Sequence, residues 1–181
     1  LFFSQYWGAG NEKGINRTFG ISLLFMFAVS LLFSSVAISN PAFLLGIYTD
    51  KAHIVEVGVP YIRIVGFAYP LQVIAVIISF LMRSTERVKV PLFASLAALV
   101  TNFCLNWVLI YGRFGMPKMG AAGAAVGTLA SALVNVLILL FFVVQKKQGA
   151  TLRLKEMFDF RGEFAEIYLK KCVPILCNEL L

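Results

Sequence analysis

The chain has 181 residues, of which 60% are hydrophobic and 14% charged, and its formal net charge is +7. Soluble domains carry about 25% charged residues, so an ordinary water-facing surface is excluded, and most of this one must meet lipid or other apolar helices. The positive balance does not point to nucleic acid, because the basic residues sit in short loops between apolar runs and no basic face has a soluble scaffold behind it.

The opening stretch, LFFSQYWGAG, reads as the end of a helix whose body lies before it. Tyr6 and Trp7 suit a membrane interface, and Gly8 to Asn11 break the helix. The chain starts mid-pattern, shows no signal-peptide pattern and stops just after a new apolar run begins, as a piece of a longer membrane protein would. The first complete span covers residues 20–39 and carries no charge. That length crosses roughly 30 Å of hydrocarbon at about 1.5 Å per residue. Asn40 and Pro41 end it, and a loop over 46–56 holds Asp50, Lys51 and His53. Nothing near His53 completes a metal site, and Cys104, Cys172 and Cys177 lack a metal-ligand spacing, so no metal centre is expected.

The second span, 57–82, carries Arg63 close enough to one end to reach the headgroups. Pro70 falls in its middle, where the ring should clash with the carbonyl of Gly66 and kink or open the helix. A carbonyl freed in this way is tolerated in a membrane only where a neighbour or water satisfies it. Gly66 and Pro70 are therefore hinge candidates, with a plain packing kink as the alternative, and Gln72 adds a polar group beside them.

After a basic loop at 83–89, Pro91 opens a third span over 91–112, placed where proline costs a helix least. A turn at 113–120 leads into a fourth span, 121–144. From 145 to 171 the composition turns polar. Leu154, Met157, Phe158, Phe164 and Tyr168 recur there at helical spacing, which suits an amphipathic helix at the membrane surface or a solvated linker. Residues 172–181 begin a fifth apolar segment.

Twelve of the sixteen lysines and arginines fall on one side of this arrangement and three on the other, with Arg63 inside a span. The bias places the twelve-charge side, including 83–89 and 145–171, in the cytoplasm. Four crossings return the chain to the side on which it began, so charge and hydropathy agree.

No enzyme constellation is visible: there is no phosphate loop, no paired acids and no nucleophile with a plausible base. The informative residues are polar groups inside apolar spans, which need internal partners or a wet cavity. Asn102 and Asn106 lie one turn apart on one face of the third span. Thr128 lies early in the fourth, after the small residues Gly120, Gly123 and Gly127, which let helix backbones approach closely. The groups can serve a ligand or simply join two helices. Glu179, in the last segment, can exchange a proton or hold a cation if that segment enters the membrane.

SQYWGAGN, YIRIVGFAYP, LMRSTERVKVP, NFCLNWVLIYGRFGMPKMGAAGAAVGT and VPILCNELL together resemble multidrug and toxic compound extrusion (MATE) transporters, over essentially the whole chain. The resemblance implies an all-α, polytopic membrane bundle, running from the end of helix two to the start of helix seven of a twelve-helix, two-lobe protein in the cell membrane. It implies an antiporter that exchanges organic, often cationic, small molecules for Na+ or H+, with no other cofactor and no nucleic-acid partner. Its partners would be the bilayer and the remaining helices of the full-length chain.

In some members an asparagine and an acid one turn apart on helix five, and a threonine on helix six, hold a cation. Asn102, Asn106 and Thr128 match those positions. Asn106 stands where the acid would be, so no proton can couple through it. Glu179 is placed near a coupling glutamate of other members. A flippase for lipid-linked saccharides, from the related superfamily, and a non-transporting membrane interaction protein are the alternatives. The flippase would need a wide cationic cavity, whereas the basic residues here cluster at the span ends.

Overall fold

In a computed structural model of the chain, residues 2–145 and Met157 are described. They form seven helices: α1 (Phe2–Gly8), α2 (Glu12–Ser39), α3 (Pro41–Gly46), α4 (Ala52–Gly66), α5 (Ala68–Ser84), α6 (Lys89–Tyr111) and α7 (Ala121–Val144). Three of them, α2, α6 and α7, are long and apolar enough to cross a membrane, and α4 with α5 makes a fourth if the bent pair is one span.

The sequence explains where each helix starts and stops. The side chain of Asn11 accepts a hydrogen bond from the Gly14 N–H at 2.9 Å, which caps α2 and starts it well before residue 20. The added turns hold Lys13 and Arg17, charges that suit a headgroup layer. Asn40 closes α2 through its N–H to Val36 and opens α3 through its side chain, which accepts from the Phe43 N–H at 3.3 Å; Pro41 takes the first position of α3.

The segment expected to be a loop over 46–56 is thus partly helical. α4 begins at Ala52 and His53 lies in its first turn, exposed. A spanning helix can continue past the hydrocarbon, and the charges around its start, Asp50, Lys51 and Glu56, then give the segment the composition of a loop.

The second span divides into two helices that meet at a 45° bend. Gly66 ends α4, the Phe67 N–H tightens onto the Ile64 carbonyl at 3.1 Å, and α5 begins at Ala68. Pro70 consequently sits in the first turn of α5 instead of a helix middle, where its ring is tolerated. The carbonyl of Gly66, four residues back, accepts a hydrogen bond from the buried Ser34 hydroxyl at 2.7 Å. A Cβ on Gly66 would stand 3.0 Å from Ile38 Cγ1 and 3.2 Å from Ala37 Cβ, so α2 and α4 touch here with little space. Pro60 lies inside α4 without breaking it.

α6 and α7 form an antiparallel hairpin, the most extensive helix pairing among the described residues. Gly112, with φ of +67°, ends α6 in the left-handed conformation that glycine adopts freely. The Met119 N–H returns to the Leu109 carbonyl at 3.0 Å and closes the turn. Within it, the Arg113 guanidinium lies 5.0 Å from the centre of the Trp107 ring, and Phe114 meets that ring edge-on. The hairpin register places Gly123 against Leu109 and Gly127 against Asn106.

The buried core lies at the end of the bundle that carries Lys13, Arg17, Arg83 and Lys89. Ile15 and Phe19 of α2, Ile77, Ile78, Leu81 and Met82 of α5, Ala94 of α6 and Leu139 of α7 meet there. Met157 joins them; it is helical and buried, and its backbone carbonyl occupies the space a Cβ on Gly20 would need. The rest of the expected 145–171 helix beyond Gln145, and the 172–181 segment, lie outside the described residues. Outward, the bundle exposes large apolar side chains such as Phe25, Leu32, Leu99 and Phe103, the last at 72%. A helix that is apolar on all faces and still exposed belongs in an apolar surrounding.

Candidate functional site

The polar cluster forms where α6 crosses the small-residue face of α7. The one-turn spacing puts both asparagines on the side of α6 that meets α7, and the missing side chain of Gly127 lets Asn106 approach. The Asn106 amide nitrogen donates to Asn102 Oδ1 at 2.9 Å. The Asn102 amide nitrogen reaches Ser131 Oγ at 3.5 Å, long for a hydrogen bond. Ser131 in turn donates to the Thr128 carbonyl at 2.9 Å. The Thr128 hydroxyl donates to the Ala124 carbonyl at 3.0 Å, which leaves its oxygen free to accept.

Asn106 Oδ1 is buried and has no hydrogen-bond partner. It points at Gly127, where a Cβ would collide with it. Leaving such an acceptor unpaired costs about 1–3 kcal/mol. The cluster offers only neutral oxygens from amides, hydroxyls and backbone. Such groups suit a hard monovalent or divalent cation, and none of them takes up a proton near neutral pH.

Asn102, Asn106 and Thr128 therefore come together, with Thr128 joined through its carbonyl and Ser131. Gln72 does not join them. It is exposed on α5 and lines two cavities: one of about 330 Å³ among α5, α6 and α7, and an apolar groove of about 820 Å³ beside α2 and α4. Gly66 and Pro70 flank the break in the second span. Glu179 lies outside the described residues. Among the described residues, no three histidine, cysteine or acidic side chains are grouped to hold a metal.

Three residues escaped the sequence reading: Ser34, Ser131 and Asn135. Ser131 and Asn135 stand three and seven residues after Thr128, on the same face of α7. Asn135 Oδ1 is also buried without a partner. The argument that singled out Asn102, an amide within an uncharged run, applies equally to Asn135 and would have found it.

A family model described as MatE matches residues 1–108. The chain is 26% identical to the "Probable multidrug resistance protein YoeA" of Bacillus subtilis (strain 168), in an alignment covering 100% of this chain and 40% of that protein. It is 30% identical to the "Multidrug resistance protein NorM" of Vibrio cholerae, over 55% of this chain and 22% of that one. Among solved structures, it resembles the inward-facing conformation of a multidrug resistance MATE family transporter of the MOP superfamily. The TM-score is 0.80 at 19% identity, over 93% of this chain and 38% of that one, which shows the fold. The chain spans about two fifths of the length of the first curated relatives it matches.

Proposed function

Because the chain belongs to the MatE family, we propose that it forms part of a cation-coupled antiporter exporting organic, often cationic, compounds across the cytoplasmic membrane, with Asn102, Asn106 and Thr128 at a cation site. The supporting observation is the orphaned, buried oxygen of Asn106 beside Gly127. A bound cation would give that acceptor the partner it lacks and would offset its desolvation. Na+ fits this cluster better than a proton does, since its side chains are neutral amides and hydroxyls. Any proton coupling would have to use an acid elsewhere, and Glu179 is the candidate within this sequence.

Ion binding would favour one of two states of the transporter and compound binding the other, each by its difference in affinity for the two. The break between Gly66 and Pro70 offers a place for the second span to bend between them. The basic end of the bundle, with residues 83–89, would face the cytoplasm.

The test uses the full-length protein in sealed vesicles, with efflux of a fluorescent organic cation driven by a Na+ gradient. Asn106→Leu should raise the half-saturating Na+ concentration about tenfold or more, equivalent to about 1.4 kcal/mol. Asn106→Asp, which adds a charge to the same geometry, should lower it. Unchanged Na+ dependence in both variants would remove the cluster from the mechanism.

A further inference from the structure

Each asparagine of the cluster is followed along α6 by an exposed aromatic. Asn102 and Asn106 face α7, whereas Phe103 and Trp107 face outward. Leu99, Phe103, Trp107 and Tyr111, each one turn beyond the last, form an exposed ridge. Its chemistry is graded. Leucine and phenylalanine come first, then the amphipathic rings of Trp107 and Tyr111, and then the exposed Arg113 and Lys118 of the turn. From Leu99 to Tyr111 the helix rises about 18 Å, enough to cross the hydrocarbon of one leaflet, about 15 Å, and reach the interface. Apolar, amphipathic and cationic groups follow one another in that order from the middle of a bilayer outward.

The turn adds an independent observation. Gly112, Gly115 and Gly120 have positive φ, which glycine adopts freely, but Phe114 has a φ of +56° as well. A bulky side chain is strained there, and this one is 84% exposed. Its ring meets Trp107 edge-on. Water offsets neither the strain nor the exposure, whereas an apolar neighbour at the turn would offset both. The charge here has no local counterpart, since no aspartate or glutamate occurs from Arg87 to Gln145. Arg113 stacks the face of its guanidinium on Trp107, which leaves the N–H edge to meet an anion.

We infer that ridge and turn together bind a phospholipid of the leaflet at the Lys118 end. One acyl chain lies along Leu99 and Phe103, Trp107 and Tyr111 flank the ester region, and the phosphate meets Arg113 and Lys118. Phe114 inserts beside the headgroup. Anionic headgroups are preferred, because a zwitterionic one brings its own cation to the two already present. A free phosphate would meet the charges but leave the ridge uncovered. The site is independent of the cation cluster, and the failure of either leaves the other standing.

The experiment uses the full-length protein in detergent, with its own cysteines replaced by serine and a fluorophore on Met116→Cys. Phosphatidylglycerol carrying a nitroxide near its ester group is titrated into lipid-depleted micelles, and quenching is followed. A galactosyl diacylglycerol with the same chains and nitroxide, but no phosphate, is the comparison. Half-quenching should need about tenfold less phosphatidylglycerol than galactolipid. Arg113→Gln combined with Lys118→Gln should remove that difference. Phe114→Gly should raise the phosphatidylglycerol needed several-fold without lowering the thermal midpoint in lipid-free detergent, since glycine relieves the backbone. Inorganic phosphate should not displace the lipid. Equal quenching by the two lipids in protein that retains Arg113 and Lys118 would overturn the site, and so would a preference that survives the loss of both cations. Displacement by inorganic phosphate would overturn the lipid in favour of a small anion.

Discussion

Ser34 donates to the carbonyl of Gly66 across 32 residues of sequence, and its effect can be separated from that of its neighbour. Ser35 is exposed and donates to the Leu32 carbonyl within its own helix. Replacing Ser34 leaves a buried carbonyl unpaired, whereas replacing Ser35 removes only a local bond at the surface. Ser34→Ala should destabilise the folded protein by about 1 kcal/mol, and Ser35→Ala should leave its stability nearly unchanged. Thermal unfolding in detergent compares the two, and equal midpoints would deny the Ser34 bond its role. The freed carbonyl was legible in the sequence because a proline acts on the residue four before it. Its partner was not, since the approach of α2 to α4 is a tertiary event that no local pattern encodes. Asn102 and Asn106 were legible for the first reason, and Ser131 stayed hidden for the second.

The bent pair α4–α5 is the element with the clearest single cause. Restoring a hydrogen-bonding N–H at position 70 and removing the ring should let the two helices join more nearly in line. In Pro70→Ala, spin labels at the exposed positions Ile54 and Phe80 should move apart by about 3 Å, the difference between a 45° bend and a straight rod of this length. An unchanged distance would place the cause of the bend in the packing of Gly66 against Ala37 and Ile38. Long uncharged runs gave α2, α6 and α7 away, because only a helix satisfies a backbone in hydrocarbon. The short α3 and the first turn of α4 were missed, since polar and proline-bearing sequence at a span end suits a loop and a capped helix equally well.

At the scale of the whole bundle, helix connectivity brings the starts of α2 and α6 and the end of α5 to one end, and with them Lys13, Arg17, Arg83, Arg87 and Lys89. The packed core occupies that end, and the polar cluster lies nearer the other, in the outer half of the α6–α7 hairpin. The placement couples a firm base to a site whose helices meet through small residues. That α2, α6, α7 and, if the bent pair is one span, α4 with α5 are long and apolar enough to cross a membrane followed from composition. The cavity that lies between base and cluster did not, because it is made by side chains from three helices.

The most direct test of a cation site at this crossing is equilibrium binding of radioactive sodium to the purified full-length protein, with Asn106→Leu beside the wild type. The account predicts saturable binding that weakens about tenfold or more in the variant, while the two proteins elute as the same folded species. Saturable sodium binding of the same affinity in both would contradict it.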